Sequence, residues 1–221
     1  MYKYVDASVV KHYNSFCADK LNQLKISLSN EYGIKCDVCL IGSGAKNLVT
    51  QNENEPFDLD YNLTIHSYPK DWNINNSTSL KNLKDIIRNE LNKTHSAAYF
   101  QNAQDSTSVL TARLFLDKNS LKSGFSFDVA ILIKNKKGNY CRLIHDKSLI
   151  ERFYWNEVPS SHNVAEKVDE LKECGWWQAV RDTYLKLKNT YLRRRDFNHP
   201  SFVVYVEAVN QVYNEFENQS E

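Results

Sequence analysis

The chain reads as an α+β protein: a mixed sheet flanked by helices, followed by a helical C-terminal third. Two observations predict this. Apolar residues recur at three- and four-residue steps near the start and throughout the last third, the period of a helix with one buried face. Between them, apolar and polar residues alternate strictly over several short segments, the period of half-buried strands.

The first helix covers residues 7–30, where Val10, Tyr13, Cys17, Leu21, Leu24 and Leu28 form the stripe, Asp6 can cap the start and Gly33 ends the segment. Residues 34–41 then alternate as a strand that runs into Gly42-Ser43-Gly44, and a short helix is expected to begin at Ala45. A polar loop over 51–56 leads to a strand over 57–65. An irregular stretch containing Pro69 follows, and then a helix over 80–93 with Ser79 as its cap. Residues 107–116 and 125–134 read as a hairpin joined by turn residues, with a short strand over 139–144. From about 146 the period is helical. Ser160-Ser161 precedes one helix, Trp176 to Arg195 forms a long one with a basic end, and Pro200 stands before the last. The expected parts are 1–145 and 146–221.

Bulk properties exclude some classes. The chain has 221 residues, 25% charged and 42% hydrophobic, which is ordinary globular composition. A net charge of +1 gives no global reason to bind nucleic acid or an anionic membrane. No apolar run approaches the ~18 residues needed to span a bilayer. Five cysteines, an odd number, and no apolar leader at the first residues are read as reduced thiols in a cytoplasmic protein. Cys36 and Cys39 form a CxxC, but positions i and i+3 of a strand point to opposite faces, so core packing outweighs a metal or redox role.

The chemistry-bearing residues lie in the alternating body. Phe57-Asp58-Leu59-Asp60-Tyr61 puts two carboxylates on one face of a strand and the apolar side chains on the other. Asp128 interrupts an otherwise apolar strand, where a lone charge is costly unless paired or bound to a cation. Clustered carboxylates suit Mg²⁺, a hard cation that takes oxygen ligands. Gly42-Ser43 ends a strand, where glycine lets a phosphate approach the backbone and Ser43 can donate its hydroxyl. Each feature alone is most simply a solvated face, a satisfied acid or a tight turn. The combination is more specific.

A glycine-serine turn at a strand end, a hydrophobic-Asp-hydrophobic-Asp-hydrophobic strand and a third Asp on a later strand resemble the DNA polymerase β-like nucleotidyltransferase superfamily, over about residues 34–134. The helical third resembles the partner domain of bacterial members and of the oligoadenylate-synthase-like branch. The stretch between Ser43 and Asp58 is longer than the usual pattern. The resemblance implies roles for residues that match the motif. Asp58, Asp60 and Asp128 are the implied catalytic residues and ligands of two Mg²⁺ ions, with Asp128 helping to deprotonate the acceptor. Gly42 and Ser43 are implied nucleotide contacts, joined by Lys186 or Lys188 of the basic helix, with Tyr184 or Tyr191 stacking on a base. Lys46 is a further phosphate candidate, against a solvated lysine. The implied reaction moves a nucleoside monophosphate, with ATP the expected donor, from a nucleoside triphosphate to an acceptor hydroxyl and releases pyrophosphate. The acceptor stays open: a protein, an RNA or second messenger, or a small molecule such as an antibiotic. The rival from another class is a nucleotide-binding module of the same fold without turnover.

Overall fold

The computed structural model describes residues 1–94, 100–115, 123–148, 150–159 and 162–220. Two units are formed. One comprises residues 6–49 and 54–158; the other comprises 1–5, 50–53 and 159–221. Among the described residues no helix is long and apolar enough to cross a membrane.

The larger unit is built on strands β2 (Lys35–Ile41), β4 (Phe57–Ser67), β5 (Phe100–Asp105), β6 (Leu110–Phe115), β7 (Ser123–Lys134), β8 (Tyr140–Asp146) and β9 (Arg152–Glu157). Their order is β2-β4-β7-β6-β5, with β8 also on β7 and β9 on β8. β4 and β7 run parallel at the centre and the other pairs are antiparallel. The expected hairpin is present as β6 and β7; its turn residues 117–122 lie outside the described residues.

Alternation decides which face is covered. Phe57, Leu59, Tyr61, Leu63, Phe125, Phe127 and Val129 are all buried on one face. Helix α1 (Ala7–Tyr32) lies over it: Tyr13 stacks on Phe125 at 4.3 Å and meets Phe57 edge-on at 5.4 Å. Tyr61 donates its hydroxyl to Asn14 Oδ1 at 2.8 Å. α1 begins as expected, with Asp6 Oδ1 accepting from Ser8 N at 2.8 Å, and ends at Gly33, whose φ of 64° is left-handed. Helix α3 (Ser77–Thr94) packs beside α1 through Leu80, Leu83, Ile87 and Leu91. It starts ahead of the expected residue 80, because Asn76 Oδ1 rather than Ser79 accepts from the first free N–H groups, those of Thr78 and Ser79.

Three elements depart from the sequence expectation. The short helix α2 (Gly42–Ala45) is the glycine turn itself rather than a segment starting at Ala45. β5 forms from a polar stretch that carries no apolar alternation. β9 occupies residues read as the beginning of the helical part; Phe153 N donates to Ser77 Oγ at 2.8 Å and Trp155 Nε1 to Ile74 O at 2.9 Å.

The smaller unit holds α4 (His162–Glu173), α5 (Trp177–Arg194) and α6 (Ser201–Ser220), as the helical period predicts. Val180, Tyr184, Val204, Ala208, Val209 and Val212 are buried in this unit. Trp176 packs edge-on against Phe216 at 5.7 Å. Less expected is a two-stranded ribbon of β1 (Tyr2–Tyr4) and β3 (Thr50–Asn52), which belongs to the same unit. Asn189 of α5 is buried and clasps Tyr2, donating to its carbonyl at 3.1 Å and accepting from its N–H at 2.8 Å.

Candidate active site

The parallel register of β4 and β7 sets Asp58 beside Ser126 and Asp60 beside Asp128. The antiparallel register of β6 extends these rows, Thr111 beside Asp128 and Arg113 beside Ser126. Partners in register share a sheet face, so the three predicted carboxylates stand together on the face turned away from α1. Asp58 is exposed, and Asp60 and Asp128 are half-buried.

The glycine turn borders the same carboxylates. Ile41, the last residue of β2, pairs with Asp60. Gly42 follows with φ 61°, a conformation in which a Cβ is strained. A Cβ there would come within 2.6 Å of Asp60 Oδ2. At Gly44 it would meet Leu40 Cδ1 at 2.9 Å and Leu59 Cδ2 at 3.0 Å. Both glycines are therefore required, the first by the acid and the second by the core beneath it. Ser43 is half-buried, and its carbonyl accepts from Leu48 N at 2.9 Å, closing the turn. Lys46 reaches back to Gly42 O at 3.4 Å.

The charges on this face strain one another. Burial, followed by repulsion from Asp58 and Asp128, pushes the Asp60 carboxyl up to about 6, with Arg142 acting in the opposite sense. Burial also raises Asp128, against the hydrogen bond from Thr111, while Asp58 adds repulsion and Arg113 relief. Thr111 Oγ1 donates to Asp128 Oδ1 at 2.6 Å, which fixes that carboxylate's orientation. Asn62 Oδ1 and Arg142 Nε, two positions further along this face on their own strands or beyond, are buried without a hydrogen-bond partner.

A divalent cation fits this donor set. The donors are hard carboxylate oxygens, two of them held above the usual carboxylate range by burial first and by repulsion from neighbouring carboxylates second, and a cation would relieve the second. Gly42 keeps clear the space beside Asp60 that a Cβ would fill. Among the described residues no three His, Cys, Asp or Glu side chains are gathered closely enough to form a ready-made metal cage. Unscreened carboxylates repel, and Asp128 directs one oxygen to Thr111 instead.

The remaining predicted residues lie in the smaller unit. Lys186 is exposed on α5 and Lys188 half-buried. Lys188 Nζ donates to Thr50 Oγ1 at 2.9 Å and to Ser201 Oγ at 3.3 Å, and stands 4.2 Å from the Tyr2 ring centre. Tyr184 is buried, while Tyr191 stacks on His199 at 3.9 Å and donates to Glu207 Oε2 at 2.6 Å. Lys188, Tyr191 and His199 line a cavity of about 130 Å³. Arg193 and Arg194 are exposed. Cys36 is buried and Cys39 exposed, the opposite faces that strand geometry requires. Thr111, Arg113 and Ser201 went unread in the sequence, since only register and helix placement reveal them.

Comparison with solved structures gives the class of fold. The chain is similar to CdnC from E. coli MS115-1, solved with ATP, with 15% identity and a TM-score of 0.58 over 96% of this chain and 62% of that one. It is also similar to DncV from Vibrio cholerae in its GTP-bound form, with 13% identity and a TM-score of 0.54 over 81% of this chain and 45% of that one. A further DncV structure, described as a cyclic AMP-GMP synthase with the linear intermediate 5′-pppA(3′,5′)pG, gives 12% identity and a TM-score of 0.54 over the same shares. The chain therefore shares the fold of these structures, and it spans about half to two thirds of their length. No protein-family model and no curated protein sequence matches it.

Proposed function

We propose that the chain is a Mg²⁺-dependent nucleotidyltransferase that moves a nucleoside monophosphate from a nucleoside triphosphate to an acceptor hydroxyl. The observation that carries this reading is the grouping of Asp58, Asp60 and Asp128 on one sheet face, with Gly42 closed against Asp60. Magnesium ions, when bound by these carboxylates, would neutralise triphosphate charge and stabilise the attacking and leaving oxygens. The Gly42-Ser43 turn binds phosphate through backbone N–H and the Ser43 hydroxyl. Asp128 has Oδ1 engaged by Thr111, which leaves Oδ2 to take the proton of the acceptor hydroxyl. The hydroxyl oxygen bonds to the α-phosphorus, the bond from that phosphorus to the bridging oxygen breaks, and pyrophosphate leaves. Most of the acceleration comes from positioning and electrostatics. Lys186 and Lys188 are assigned to nucleotide binding; the ammonium–hydroxyl pair of Lys188 and Ser201, at the head of α6, suits phosphate. The expected donor is ATP and the expected setting the cytoplasm.

The sheet order supports a division between donor and acceptor. β2, carrying the glycine turn, lies on one side of the carboxylates, and β6, carrying Thr111 and Arg113, lies on the other. Arg113 is exposed beside the acidic rows and suits an acceptor that carries phosphate. A second nucleotide is such an acceptor, in keeping with the linear dinucleotide held by one of the similar structures.

Incubation with each labelled nucleoside triphosphate, Mg²⁺ and a cell extract tests the assignment. A labelled product that disappears in the Asp58→Ala, Asp60→Ala protein supports transfer, and its size identifies the acceptor. Tight Mg²⁺-dependent binding of a nonhydrolysable analogue without product from any acceptor would instead identify a binding module.

A further inference from the structure

We propose a second binding site, for a small phosphate or carboxylate anion, on the helix side of the sheet where α3, β5 and β8 meet. A depression of about 750 Å³ opens there, lined among others by Arg88, Gln101, Gln104, Asp105, His145 and Lys147. Asp105 pairs in register with Leu110, which continues through Val129 to Tyr61. That row belongs to the face opposite Asp58, Asp60 and Asp128, so the depression is a separate site.

Its floor is a buried charge cluster with no part in the proposed transfer. Asp105 forms an ion pair with Lys84 Nζ at 2.6 Å and faces His145 Nδ1 at 2.7 Å. The other ring nitrogen of His145 faces Glu151 Oε1 at 2.7 Å, and the ring stacks on Phe153 at 4.1 Å. The side chains of Lys84 and His145 are only 3% and 8% exposed. Holding such groups out of water is costly unless each is paired, and here each is.

The pairing leaves the floor unable to repel an anion, since Asp105 is bracketed by two basic groups. The nearby acids are also engaged: Asp85 accepts from Arg88 Nη2 at 2.7 Å, and Glu151 pairs with Lys81 at 3.2 Å as well as with His145. Cationic donors remain. Arg88 gives one N–H to Asp85 and Lys147 one to Asp105 O at 2.6 Å, so both keep further N–H groups for a ligand. Gln101 and Gln104 reach the depression from the edge strand, but register sets their side chains in the rows of Arg113 and Thr111, so they are not among its donors. Two cations with N–H groups to spare and no unpaired acid in the lining describe a receptor for an anion.

Titration of the full chain, free of metal and nucleotide, with inorganic phosphate and separately with succinate tests this. Binding is read from the backbone NMR signals of Ala103 and Asp105 and the ring signals of His145. Saturable shifts with either anion are expected, and the anion that saturates distinguishes a phosphate from a carboxylate ligand. Arg88→Gln with Lys147→Gln should weaken binding roughly 10-fold or more. Charge-preserving Arg88→Lys with Lys147→Arg should retain it, which guards against misfolding of the first variant. The proposal is overturned if neither anion gives saturable shifts at β5, or if the Gln variant binds as the parent does.

Discussion

At the residue scale, Gly42 joins the glycine turn to the acids. Its positive φ and the 2.6 Å approach of a Cβ to Asp60 Oδ2 leave no room for another residue. Gly42→Ala is expected to lower stability by about 1–2 kcal/mol in urea unfolding and to depress nucleotidyl transfer more severely, since the alanine displaces Asp60 itself. Thr111 tests a subtler point. Thr111→Val keeps the strand and removes the hydrogen bond that orients Asp128, so kcat should fall about 10–100-fold with little change in KM for the nucleotide. An equal rise in KM would place Thr111 in binding instead. Asp60 also makes stability depend on pH. Its folded-state value, near 6, lies above the unfolded value, so the folded state holds the extra proton between about pH 4 and 6. Metal-free protein should therefore lose stability as pH rises through that window, on the order of 1–3 kcal/mol from this group. Asp60→Asn or added Mg²⁺ should flatten the profile, and a rising profile in the metal-free parent would contradict the repulsion described.

At the element scale, what was legible in the sequence followed the strength of local patterning. β4 announced itself because Phe57, Leu59, Tyr61, Leu63 and Ile65 are all buried and Asp58 and Asp60 are not. α1, α5 and α6 have stripes long enough for period alone to define them. β5 was illegible because an edge strand needs little apolar alternation: Gln101, Asn102 and Gln104 are exposed, and Ala103 is buried with its N–H donating to Asn92 Oδ1. β9 likewise buries one residue, Phe153, and depends on its backbone N–H donating to Ser77 Oγ and on an indole bond to the Ile74 carbonyl. The ribbon of β1 and β3 joins segments almost fifty residues apart, and no local pattern encodes a non-local pairing. Its anchor is testable. Asn189→Leu leaves the Tyr2 N–H and carbonyl without their partner and should cost about 1–3 kcal/mol, with faster amide exchange at Tyr2 and Gln51. Unchanged exchange would show that the ribbon holds itself.

At the scale of the whole molecule, Asp128 lies about 70 residues beyond Asp58 and Asp60 in the chain and joins them because β4 and β7 are parallel neighbours. The sequence indicated which acids to suspect; the register places Asp60 beside Asp128 and adds Thr111 and Arg113 from β6 to the same rows. Strand order sets the glycine turn on β2 and Arg113 on β6 to either side of the acidic face. Pyrophosphate release from each of the four nucleoside triphosphates with Mg²⁺ tests this most directly, comparing the parent with the Asp58→Ala, Asp60→Ala protein. The expected result is Mg²⁺-dependent release by the parent with at least one nucleotide, lower in the variant by on the order of 10³ or more. Release at the same rate from the variant would contradict the assignment of these carboxylates to catalysis.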